Sequence, residues 1–108
     1  MDDLTKEQQY LLLSMYKEVL SRQPALGLDD ANYFSSSDEV RNLFSPDSSS
    51  DHIASQCWKL SEKGYLFCGR GDDLANDISL TDKTIIYMEN RFSKKINAII
   101  DFILKIKP

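Results

Sequence analysis

The sequence predicts one mainly helical domain, residues 1–108, carrying a small β-hairpin and ending in a long helix. Three observations predict it. Apolar residues recur every three or four positions in several segments bracketed by capping residues. The period changes from helical to extended directly after Gly64. A polar cluster, "GRGDDLAND", then separates two short extended runs.

The first helix is expected over "LTKEQQYLLLSMYKEVLSRQP". Thr5 stands at its N-cap with Gln8 three residues on, the spacing of a capping box. Leu11, Leu12, Met15 and Val19 make one apolar face, and Pro24 stops the segment. "ALGLDDANYF" is a linker whose aromatic pair, Tyr33 and Phe34, is expected to fold back on the core. A short second helix follows, capped by Ser36 with Glu39 and apolar at Val40, Leu43 and Phe44. "SPDSSS" is a turn. The third helix runs from about Ser50 to Lys63 with Ile53, Cys57 and Leu60 buried, and Gly64 ends it as a C-cap. Its outward positions are Asp51, Ser55, Trp58 and Glu62. "YLFCGRG" and "ISLT" are the two strands of the hairpin. Thr81 is placed to cap the last helix, 82–107, with Asp82 in the first turn where the helix dipole favours an acid.

Composition bounds the function. A chain that is 42% hydrophobic and 28% charged is an ordinary globular domain, long enough for one core without staples. The opening "MDDLTKEQQ" is acidic and unlike a signal peptide, and no apolar run nears the roughly 20 residues of a membrane span. A reduced, cytoplasmic setting is therefore expected, with Cys57 and Cys68 as plain thiols. Two cysteines and one histidine are too few ligands for a structural zinc, and no metal or cofactor is expected. Asp72, Asp73, Asn76 and Asp77 fail the calcium-loop spacing, because Lys83 stands where a bidentate Glu is needed. His52 lacks a paired nucleophile or carboxylate, so there is no catalytic case. The net charge of −4 divides unevenly. Residues 1–82 hold seven Lys/Arg against fifteen Asp/Glu, or −8; residues 83–108 hold six against two, or +4. Any nucleic-acid contact would depend on a local patch.

"DHIASQCWKLSEKGYLF" followed by "ISLTDKTIIYMEN" resembles the winged helix-turn-helix pattern of small bacterial and phage regulators. The likeness spans about Val40 to Glu89, is similar to MarR-like and PadR-like regulators, and extends to a tail that resembles YjcQ-like phage proteins. Thr84 stands where that pattern often has glycine. The resemblance implies a winged helix-turn-helix with a long C-terminal helix, a recognition helix at about 50–63 and a wing at about 65–81. It implies a transcription regulator whose partner is double-stranded DNA, contacted by Ser50, His52, Ser55, Gln56, Lys59, Lys63 and Arg70. The residues themselves set limits on this. His52, Lys59 and Lys63 lie on one flank of the helix, with Gln56 next to the core, while Asp51 and Glu62 face outward and Asp72 and Asp73 adjoin Arg70. The alternative is a winged-helix module that binds a protein partner through Trp58 and its acidic neighbours, without DNA.

The last helix carries a second message. Phe92, Ile96, Ile99, Ile103 and Ile106 form a heptad-like seam, widened by Ile100, Phe102 and Leu104. An apolar strip of that size predicts a symmetric homodimer through the terminal helices, flanked by Lys94, Lys95, Lys105 and Lys107. The competing use is packing against the apolar stripe of the first helix within one chain.

Overall fold

A computed structural model describes residues 1–71 and 73–106. The elements run α1 (Lys6–Arg22), α2 (Leu28–Ala31), β1 (Phe34–Ser36), α3 (Ser37–Phe44), α4 (Ser50–Glu62), β2 (Leu66–Gly71), β3 (Leu74–Leu80), α5 (Asp82–Phe92) and α6 (Ile96–Ile106). The arrangement is mainly helical with a small antiparallel sheet in the order β1-β3-β2, a winged-helix-like architecture. Among the described residues no helix is long and apolar enough to cross a membrane.

Local chemistry sets the helix starts. Thr5 and Gln8 form the capping box of α1, side chain to backbone in both directions. Ser36 caps α3, and Glu39 Oε1 accepts from Ser35 N at 3.0 Å. Ser49 caps α4 by accepting from His52 N. Thr81 occupies the N-cap position of α5, but its hydroxyl makes no cap hydrogen bond there. It donates instead to Gly64 O at 2.7 Å, while Thr84 donates to Tyr65 O, also at 2.7 Å. A glycine at position 84 would lose that second bond.

The strand β1 was not legible in the linker. Phe34 is buried as expected, but Tyr33 is exposed and its hydroxyl donates to Asp77. Three residues make a short strand, and side chains extend it at both ends. The Asn32 amide pairs with both backbone groups of Leu80, and Ala75 N donates to Ser37 Oγ. The wing is longer in strand than the polar cluster suggested: Leu74–Asp77 belong to β3, so only positions 72–73 lie between the strands. Asp72, the middle of "GDD", is outside the described residues. A one-residue bulge on β3 shifts the register from Phe67↔Ser79 to Gly69↔Asn76, with Asp77 at φ +50°.

The C-terminal region departs most from expectation. The helix expected over 82–107 is two helices, broken where Ser93 (φ 50°) and Lys94 (φ 61°) adopt the left-handed conformation. An unbroken helix would be about 39 Å long, exceeding the 36 Å long axis of the molecule. The break lets α6 pack along α1. Two left-handed non-glycine residues cost roughly 1–3 kcal/mol each, and the burial of Ile99 against the core works against that cost. Phe92 packs edge-on against Phe102, with the Arg91 guanidinium over the Phe102 ring. Lys94 pairs with Glu89, not with the first helix, and Lys107 lies outside the described residues.

As a result α1 is buried on two sides. Leu11 to Tyr16 are all buried, not a single stripe, because the α3–α4–sheet layer covers one side and α6 the other. Ile53, Cys57 and Leu60 of α4 face this core as expected.

The exit of α4 is a Schellman turn. Tyr65 N donates to Leu60 O and Gly64 N to Ser61 O, with Gly64 at φ +86°. A Cβ on Gly64 would meet only Lys83 Nζ, at 3.6 Å, so the demand is conformational and not spatial. Gly64→Ala should therefore destabilise the fold by about 1–2 kcal/mol, read as a lower urea midpoint at unchanged slope.

Candidate nucleic-acid interface

The exposed face of α4 lies beside the β2–β3 hairpin, and Trp58 fills the angle between them. Trp58 is half-buried, and the Arg70 guanidinium from β2 sits 5.2 Å from its ring centre. A shallow pocket opens there, lined by Trp58, Arg70, Gly71, Asp73 and Leu74.

The opposite flank of α4 turns toward the start of the chain. His52 Nε2 lies 2.9 Å from both carboxylate oxygens of Glu7. The Lys63 ammonium donates to the backbone carbonyl of Asp3, and Tyr65 Oη donates to Asp3 Oδ1 at 2.8 Å. The Tyr65 bond and nearby Lys63 lower the Asp3 carboxyl. Burial first, then that carboxylate, push the Tyr65 phenol up to about 12. Lys83 joins the same flank: its Nζ donates to Lys63 O and lies 4.2 Å over the Tyr65 ring.

The seven residues expected to meet DNA are thus divided. Ser55 and Lys59 are exposed, with no hydrogen bond or ion pair among the described residues. Ser50 is tied to Asp38 of α3. His52 and Lys63 hold acidic-segment partners, and both stay exposed. Gln56 does not reach the outer surface: it is buried and accepts from Gln8 Nε2 of α1 at 3.1 Å. Its place beside Leu60 on the helix turns it inward, where an unpaired amide would be costly. Arg70 stands across α4 from Lys59 and Lys63, on the Trp58 side, so these three groups do not form one strip within the chain. Sequence reasoning missed Lys83, Asp3 and Glu7. Charge type was visible, but contacts spanning 20 to 60 residues had no local signal.

The residues expected at a dimer seam are divided as well. Phe92 and Ile99 are buried inside the chain and unavailable to a partner, because α6 folds onto α1. Ile96, Ile100, Ile103 and Ile106 are half-buried, and Leu104 is 67% exposed. Ile100, Ile103 and Leu104 line one wall of a groove of about 230 Å³, and Tyr10, Ser14, Lys17, Glu18 and Phe44 form the other.

Among the described residues no group of three or more His, Cys, Asp or Glu is placed to hold a metal ion. Comparison with protein-family models, curated protein sequences and solved structures returned no match.

The two thiols sit between α4 and the wing, with Cys68 Sγ 3.7 Å from Cys57 O. Burial raises Cys57 to about 12 and Cys68 to about 11. Thiolate is the reactive form, so native protein at pH 8 should react with a disulfide reagent far more slowly than a free thiol. Unfolding should release two equivalents promptly; two fast native thiols would contradict the burial.

Proposed function

We propose that this chain is a DNA-binding transcription regulator of the winged-helix kind, similar to small bacterial and phage regulators and working in a reducing cytoplasm. One observation carries the reading. A surface helix presents Ser55 and Lys59 outward and aligns His52, Lys59, Lys63 and Lys83 along one flank, beside a β-ribbon that carries Arg70. Helix and ribbon together suit a major groove and its flanking phosphates. Duplex titrations at two salt concentrations test it. Affinity should fall steeply with salt, since each neutralised phosphate releases counterion. Lys59→Gln should weaken binding several-fold and reduce the salt slope by about 1. A chain that binds no duplex at either salt ends this reading.

A second reading is favoured by the Trp58 pocket, where an aromatic face, a guanidinium and Asp73 meet. There the chain would be a protein-interaction module, and Trp58→Ala would abolish partner capture while DNA affinity is absent throughout.

We also propose that the regulator is a homodimer, with Ile100, Ile103 and Leu104 at its seam and not the buried Phe92 and Ile99. Charge supports a second copy there. Asp101 and Lys105 are both exposed, one turn apart, on the flank of α6 next to Leu104. Antiparallel two-fold pairing of α6 sets each Asp101 against the partner's Lys105. Sedimentation equilibrium should report a dimer, and Leu104→Glu should raise its dissociation constant at least about tenfold. A wild-type chain monomeric at every concentration removes the proposal.

A further inference from the structure

The opening segment places its acids along the cationic flank of α4. The Glu7 carboxylate meets His52 near the start of the helix; at its end the Asp3 backbone carbonyl accepts from Lys63 and the Asp3 carboxylate accepts from Tyr65. His52, Lys59 and Lys63 recur at seven and four residues, one line spanning about 17 Å of helix. Two of its three groups are occupied from the same short stretch of chain. That stretch is held in place: Leu4 is buried, Met1 packs against the core, and Leu4 N donates to Met1 O.

We propose that residues Asp2–Glu7 act as an internal competitor for the DNA backbone, occupying the flank of α4 that phosphates must use. This rests on the DNA-binding reading and concerns its regulation. The chemistry matches at each point. Carboxylate, carbonyl and phosphate oxygens are all acceptors for the same imidazole N–H and ammonium donors. The one Nε2–H of His52 cannot serve Glu7 and a phosphate together, and a Lys63 ammonium turned to Asp3 O has fewer donors left for phosphate, so full phosphate contact along this flank requires the segment to give way.

The lock is weak by construction. The His52 and Glu7 side chains are 44% and 31% exposed, so water and salt screen the pair. Tethering offsets this, because the competitor is always near its site. A polyanion can therefore displace it, while a single small anion gains little. Nonspecific affinity is suppressed, and only a duplex that adds contacts from Ser55, Lys59 and the wing overcomes the segment. The same arrangement accounts for a net acidic protein retaining a cationic flank on α4.

The test uses the full chain and a fluorescent mixed-sequence duplex. Asp3→Asn with Glu7→Gln keeps the hydrogen-bonding atoms and removes the charge. Asp29→Asn with Asp30→Asn, on exposed α2, removes the same formal charge elsewhere. The strap variant should bind about three- to tenfold tighter than wild type, with a salt slope steeper by up to about two phosphates. The α2 variant should stay within about twofold. Adding Lys63→Gln should cost more affinity in the strap variant than in wild type, since there the Asp3 charge beside Lys63 is gone. If wild type binds but the strap variant gains no more than the α2 variant, the competitor is overturned and the DNA reading stands. If no variant binds duplex, the DNA reading itself is overturned and the competitor with it. Each single substitution, measured alone, reports separately on the two ends of α4.

Discussion

The structure depends on covering α1 from two sides. Six consecutive residues, Leu11 to Tyr16, are buried, which no single layer can achieve around a helix. The α3–α4 pair and the sheet supply one cover and α6 the other. The first cover sets where α4 sits and hence which face it leaves exposed. The second draws the C-terminal chain back, which is why left-handed backbone at Ser93 and Lys94 is tolerated. One cost of this packing is visible: the Tyr16 hydroxyl is buried with no hydrogen-bond partner among the described residues.

A second constraint ties α4 to the wing. The Schellman turn at Gly64 sends the chain directly from helix to strand. The carbonyls of Gly64 and Tyr65 at that corner are then taken by Thr81 and Thr84 from the start of α5. The end of α4, the start of β2 and the start of α5 are thus fastened at one place. Lys63 and Lys83, which come from different elements, are brought together by this corner. The joint adds Lys83 to the line that His52, Lys59 and Lys63 make along α4.

The electrostatics of that flank are decided inside the chain. His52 faces the Glu7 carboxylate and Lys63 the Asp3 carbonyl, while Arg70 is stacked on Trp58 across the helix. An overall charge of −4 describes the sum and conceals the segregation. Exposed pairs of this kind add little to stability.

Residue order alone determined the parts whose signals are local. The capping box at Thr5, the cap at Ser36, the inward Ile53–Cys57–Leu60 stripe and the stop at Gly64 follow from neighbours within one or two turns. The heptad-like run after Thr81 was legible as apolar, but not as broken, because two alternative partners for it, α1 or another copy, leave the same pattern. Strand β1 was illegible, since three residues carry no period and their bonds come from a strand some 40 residues on. Of the expected contact residues, Gln56 was turned inward by Gln8, and the Glu7 carboxylate opposite His52 and the Asp3 carbonyl opposite Lys63 came from the first seven residues. Spacing within a helix decides which side a residue takes. What waits on that side is decided only when distant segments pack, and that was the work of the tertiary structure.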